Sequence, residues 1–242
     1  MVLAVLLGNN DLIPWGIRDF DSQFGGLGKN LFNMVRSCDH PSGIAAVGHF
    51  LAEGLGRNET VALVSFDNPH IVFSAFSQYG FSFSDSLANE QLIYLYYKPT
   101  FSHALSFATD YQNLFGEILR LTDRSLARLA FFNADNLFNL ETAHLARASA
   151  HKLVASTTAS FECSILGHCL IPQGAPSRYL DEVCNEYLPS YLEITHSPPF
   201  SKGLYSINWR RSPYQNHTQS LIQRLVSGQG YVNDEAIEVQ IA

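Results

Sequence analysis

Three stretches of this 242-residue chain could be asked to do phosphate or metal chemistry, and each lacks a part. The first is Ser37-Cys38-Asp39-His40-Pro41-Ser42-Gly43, between an apolar run and a run with helical spacing. A phosphate-cradling loop at such a place reads GxxxxGK[ST]; its backbone N–H groups face the anion and its lysine adds a point charge. Here there is no lysine, the only glycine is Gly43, Pro41 has no N–H, and Asp39 brings a negative charge. The second is GGLGKN at Gly25 to Asn30. The residue five before Gly28 is Gln23, Lys29 is followed by Asn30, and the stretch precedes a strand where a phosphate loop follows one. It reads as a turn. The third is Asn133, directly after the apolar run Leu126 to Phe132. A carboxylate there would hold a magnesium-bound water, and an amide lacks the charge a divalent cation wants. Asp135, two residues on, reads as a turn or cap residue.

Other reactive side chains are dispersed. His144 and His151 share one helical face, but no third metal ligand is set by spacing, so they read as exposed or capping residues. Cys38, Cys163, Cys169 and Cys184 are too scattered for a metal motif and read as reduced, buried thiols. Ser, His and Asp are all present, yet no GxSxG elbow or HExxH helix focuses a search for hydrolytic chemistry. Arg178, Arg210 and Arg211 could pair with phosphates, although nothing in the sequence brings them together. Trp209-Arg210-Arg211 combines the residue types enriched at binding hot spots and is the candidate partner-facing patch. No catalytic, cofactor-binding or metal-binding residue is assigned, and no cofactor is expected.

The elements that would carry these residues follow a regular order. Asn30 to Arg36 predicts a buried strand, Ser37 to Gly43 a loop, and Ile44, Val47, Leu51 and Leu55 one face of a helix. Val61 to Phe66 predicts a parallel strand covered on both faces. A helix from near Pro69 to Gly80 and a strand at Gln91 to Tyr97 follow. Thr100 or Ser102 then caps a long helix bearing Leu105, Ala108, Tyr111, Phe115 and Ile118. Beyond Leu126 to Phe132 come a helix at Glu141 to Ser160, a strand at Cys163 to Ile171, and a short helix with Arg178 and Asp181 on its surface. Leu192 to His196 is a strand, and Pro198 and Pro199 break the chain. Leu204 to Trp209, Thr218 to Val226 and a run beyond Gly230 read as an antiparallel extension turning at Pro213 and Asn216. Residues 9 to 29 read as a Gly- and Asp-rich lead-in.

Composition narrows the class further. The length suits one α/β domain over residues 1–242. With 46% hydrophobic and 15% charged residues, disorder is not expected. A net charge of −7 without a basic cluster disfavours nucleic acid as partner. MVLAVLLG at the start has no basic flank and is too short to span a bilayer, so it reads as a strand or hydrophobic arm. A cytoplasmic protein is expected, with a peripheral place in a membrane complex compatible with this reading.

The order of these elements, with VALVSFDNP after the first helix and LYSINWRRSP near the end, resembles the RecA/KaiC-like ATPases. That resemblance implies a three-layer α/β/α sandwich with a mostly parallel sheet and a C-terminal antiparallel extension. It places Trp209, Arg210 and Arg211 where active members carry residues that reach a neighbouring subunit's nucleotide. Among degenerate members, the empty first unit and GLYSINWRR…SLIQRLVSGQGYV are similar to the amino-terminal domain of the BcsE family, accessory proteins of bacterial cellulose secretion. Elongator subunits four to six share this degenerate fold. The BcsE family binds cyclic di-GMP through RxGD in a later domain; this chain has no RxGD. The resemblance implies a catalytically inactive RecA-like (pseudo-ATPase) interaction module, a scaffolding or regulatory subunit of a secretion or exopolysaccharide complex. Self-association or a protein partner is then expected, with a nucleotide- or dinucleotide-binding regulator or an unusual NTPase as the alternatives.

Overall fold

The computed structural model describes residues 12–96, 107–122, 126–138, 142–160, 162–171, 177–197, 203–211 and 219–232. Leu12–Ile13 (β1) and Leu27–Gly28 (β2) pair antiparallel around a short helix, Arg18–Phe24 (α1). Gly25 ends that helix in the left-handed conformation, with φ of 81°. The Gly- and Asp-rich lead-in is therefore folded. Phe20 and Phe24 lie one turn apart on α1 and are both buried, so four residues of spacing sufficed to make a core-facing helix.

Phe32–Ser37 (β3) runs into His40–Gly56 (α2), and Val61–Ser65 (β4) follows. Every residue of β3 and β4 is buried, as in parallel strands covered on both faces. The connection before α2 is shorter than the sequence suggests. Asp39 is the helix N-cap, its carboxylate accepting the Ser42 N–H at 2.9 Å, and Pro41 lies in the first turn. Asp39 and Pro41 thus start a helix, where a capping oxygen is wanted and a missing N–H does no harm.

Pro69–Gln78 (α3) is capped by Asn68, and Ser84–Ala88 (α4) precedes Leu92–Tyr96 (β5). Phe107–Leu121 (α5) buries Leu114, Phe115 and Ile118. Thr100, Ser102 and Leu105 lie outside the described residues, as do the side chains of Ala108 and Tyr111. Arg128–Phe132 (β6), a 3₁₀ turn at Ala134–Leu137, Ala143–Ser160 (α6) and Ser164–Leu170 (β7) come next. Ser177–Glu186 (α7) leads to Ser190–His196 (β8). Leu204–Arg211 (β9), Gln219–Val226 (β10) and Gly230–Val232 (β11) complete the described chain. The N-terminal MVLAVLLG run, the Pro198-Pro199 break and the turn at Pro213 and Asn216 are outside it.

Among the described strands, nine form one sheet in the order β11-β10-β9-β8-β3-β7-β6-β4-β5. From β8 to β5 all neighbours are parallel; β9, β10 and β11 are added antiparallel. One core, against α1, α2 and α3, contains Trp15, Phe20, Val47, Phe50, Phe76 and Ile207. The other, under α5, α6 and α7, contains Phe115, Ile118, Leu153, Val183, Phe131 and Tyr191. Helices thus cover both faces of a mostly parallel sheet. No helix among the described residues is long and apolar enough to cross a membrane.

In the C-terminal extension β9 and β10 each have a strand on both sides, and β11 is the outermost described strand. Trp209 on β9 is 2% exposed and packs on Phe20 and Phe24 of α1, at 5.4 and 6.0 Å between ring centroids. The helix in the lead-in covers the tryptophan, so its ring faces the core.

Candidate functional site at the carboxyl ends of the central strands

The crossovers that leave β3 and its neighbour β7 run in opposite directions across the sheet. From β3 the chain passes through α2 toward β4; from β7 it passes through α7 back across to β8. In open α/β sheets, the crevice outside two such adjacent strand ends is where ligands bind. Ser37 ends β3 at that crevice, Asp39 and Gly43 open α2 above it, and His168 projects from β7.

His168 fills the space. Its Nε2 lies 2.8 Å from Ser37 Oγ, and a methyl group placed on Gly43 would stand 2.0 Å from the same nitrogen. The Phe132 ring stacks on the imidazole at 5.0 Å. Ser37 Oγ also donates to the Asp39 carbonyl at 2.9 Å. Its one hydrogen is therefore committed, and the arrangement using both contacts has His168 Nε2–H donating to Ser37 Oγ. Burial, with a smaller contribution from His40, pushes the His168 pKa down to about 3, so the ring is neutral. Ser37 and His168 are both fully buried. His168 Nδ1 has no hydrogen-bond partner among the described residues. The crevice is filled by a neutral histidine ring packed over Gly43.

Beside this ring, at the carboxyl ends of β3 and β8, three ligand-type side chains converge. Cys38 Sγ, an Asp39 carboxylate oxygen and a His196 ring nitrogen all lie within 4.8 Å of one another. His196 Nε2 is 3.5 Å from Asp39 Oδ2, and the Tyr205 hydroxyl donates to that same oxygen at 2.8 Å. His196 is tilted over the Tyr205 ring at 5.0 Å. Burial and then the Asp39 charge raise the Cys38 thiol, while the His196 amide and the Ser42 hydroxyl turned toward its sulfur work the other way. Burial, reinforced by the bond to Asp39, raises the Tyr205 phenol, which therefore stays a donor. Three of the cysteines are buried as expected; Cys38 is the one at the surface of the site.

The remaining candidate residues are dispersed through other interactions. Asn133 adopts φ of 59° at the end of β6 and donates a hydrogen bond to Asp67 Oδ2, after β4. The amide thus bridges two strand ends at the place considered for a metal carboxylate. Asp135 belongs to the 3₁₀ turn, and its side chain lies outside the described residues. His144 and His151 are exposed on α6, with His151 against the Tyr187 ring. Arg36, buried in β3, pairs with Asp181 and donates to the Tyr191 hydroxyl at 3.0 Å. Glu193 accepts from Tyr191 and, at 2.7 Å, from Arg210 Nε. Arg210 is therefore a half-exposed partner of Glu193, set outside the buried Trp209. Arg211 ends β9 opposite Tyr191 in register; its side chain, like that of Arg178, lies outside the described residues.

His168, Tyr205 and His196 received no role in the sequence reading. His168 was visible as a lone polar residue inside the apolar run SILGHCL, which demands a buried partner. Pairing it with Gly43 required the strand order. A scan against protein-family models and a search of curated proteins return no match for the chain.

Proposed function

We propose that this chain is a catalytically inactive RecA-like (pseudo-ATPase) interaction module that acts in the cytoplasm as a scaffolding or regulatory subunit. One observation carries the reading: the neutral His168 ring occupies the position over Gly43 where a bound phosphate would need space and donors. Asp39 at the helix start adds negative charge at the same strand end. Both features oppose a phosphate. The order strand–helix–strand, the two further crossover units and the antiparallel extension support the RecA/KaiC-like family. The resemblance to the BcsE family supports a place in a bacterial secretion or exopolysaccharide complex. A fold stripped of phosphate chemistry is left with its surface as its working part. Arg210, half exposed beside Glu193, is the described member of the strand end where RecA-like assemblies meet a neighbour.

A melting experiment with ATP and Mg²⁺ tests the reading. A ligand at a hundred times its Kd adds about 2.7 kcal/mol of stability. The expected result is no shift in melting temperature and no turnover above a blank. A saturable shift, or a magnesium-dependent rate, would remove the pseudo-ATPase assignment.

A further inference from the structure

We infer that Cys38, Asp39 and His196 form a binding site for a thiophilic divalent cation of the zinc type, with one coordination position left for water or for a ligand from another molecule. One sulfur, one carboxylate oxygen and one imidazole nitrogen are the donor types that Zn²⁺ selects over harder cations. They come from two adjacent strand ends: Cys38 and Asp39 follow β3, and His196 ends β8, its parallel neighbour. The sheet therefore holds the ligands in fixed relation, which is the support a metal site needs.

The distances suit closure around one ion. Ligands bonded to zinc at about 2.0–2.3 Å in a tetrahedron lie about 3.3–3.8 Å apart. His196 Nε2 and Asp39 Oδ2 are already 3.5 Å apart, and all three donors are within 4.8 Å. The side chain of His196 is 56% exposed, so its ring can swing toward a shared ion without disturbing the core.

The surroundings match those of metal ligands. Asp39 is fixed by two hydrogen bonds: Oδ1 accepts the Ser42 N–H at 2.9 Å and Oδ2 accepts the Tyr205 hydroxyl at 2.8 Å. The second lone pair of Oδ2 remains for a cation, with Tyr205 orienting the carboxylate from behind. Three protein ligands with an open fourth position are the arrangement of exchangeable or partner-completed zinc sites rather than closed structural ones.

The test uses the full chain, stripped with chelator and titrated with Co²⁺ and then Zn²⁺. The expected result is uptake of one Co²⁺ with a sulfur-to-cobalt charge-transfer band, displaced by Zn²⁺. Cys38→Ser abolishes the band. His196→Ala, a change at an exposed side chain, weakens Zn²⁺ binding at least about tenfold, with the metal-free melting temperature unchanged. Tyr205→Phe keeps the band but weakens binding about 10–100-fold, the usual effect of removing an orienting partner. His144→Ala, on the exposed face of α6, leaves affinity unchanged. Absence of a charge-transfer band in the parent overturns the site, as does Zn²⁺ affinity that is the same with and without His196.

Discussion

The backbone N–H of Tyr231, on the outer strand β11, donates to Nε2 of His49 on α2 at 2.8 Å. An accepting Nε2 carries no proton, so the edge of the sheet is fastened by a neutral histidine. Burial pushes the His49 pKa down to about 4 and that of His168 to about 3. The unfolded chain takes up these protons below pH 6.5 and the folded chain does not, so stability is full above pH 6.5 and falls as pH drops. Each group contributes a slope of about 1.4 kcal/mol per pH unit over its window. Asp21 acts oppositely. Burial raises its pKa to about 6, so its contribution is lost as pH rises from 3.8 toward 6. Two histidines outweigh one carboxyl. The urea midpoint should therefore fall between pH 6.5 and 4.5, and His49→Gln should flatten that dependence. A midpoint constant across the range counts against the neutral fastening.

Gly43→Ala should destabilise the protein by about 1–3 kcal/mol, although alanine favours a helix by about 1 kcal/mol over glycine. The added methyl meets His168, and Phe132 stacked on that ring leaves little room to move. Combining Gly43→Ala with His168→Ala should restore part of the loss, since the methyl then has space. Strictly additive costs in the double-mutant cycle would mean that the ring does not plug the crevice.

Trp209→Ala should lower stability by about 3–5 kcal/mol, the usual effect of emptying a large aromatic site. The ring packs on α1, so the mutation acts by unfolding and not by loss of a contact with a partner. Guanidinium unfolding gives the first quantity and light scattering below the transition the second. A normal melting curve with altered assembly would place the indole at an interface.

Arg210→Glu together with Arg211→Glu should weaken self-association or partner docking while melting changes little. An exposed pair such as Arg210–Glu193 contributes about 0–1 kcal/mol. Sedimentation of parent and variant reads the assembly state. Identical sizes and identical partner capture would put the contact surface elsewhere.

Restoring lysine and threonine beside Gly43, as Ile44→Lys with Ala45→Thr, should not create nucleotide binding. Ile44 and Ala45 are both buried in α2, so the new side chains meet the core rather than the crevice. Equilibrium dialysis with ATP decides this; tight binding would show that only the lysine had been lost.

The strands were legible because burial on both faces leaves an unbroken apolar run, as in VALVS and RLAFF. The helix at Arg18–Phe24 was not. Its two buried phenylalanines sit among Asp, Ser and Gly residues that read locally as a turn. The departures from a phosphate loop at Asp39 and Gly43 were visible in the sequence, but the ring packed over Gly43 was not. His168 reaches Gly43 only because β7 lies beside β3, a neighbour relation with no local signal. The same holds for His196, remote from Cys38 in sequence and adjacent through β8. Arg36 and Arg128, which close or open apolar runs, gave no hint of their buried pairing with Asp181 and Glu59.

The position of β3 also has a consequence for how the chain is born. It is synthesised well before its sheet neighbours β7 and β8, with Phe32 opposite Ile165 and Asn33 opposite Ser190. Until those residues have left the ribosome, both edges of a wholly buried strand wait without native partners. Such separation between partners slows closure of the sheet and leaves its unfinished centre open to non-native pairing while it lasts.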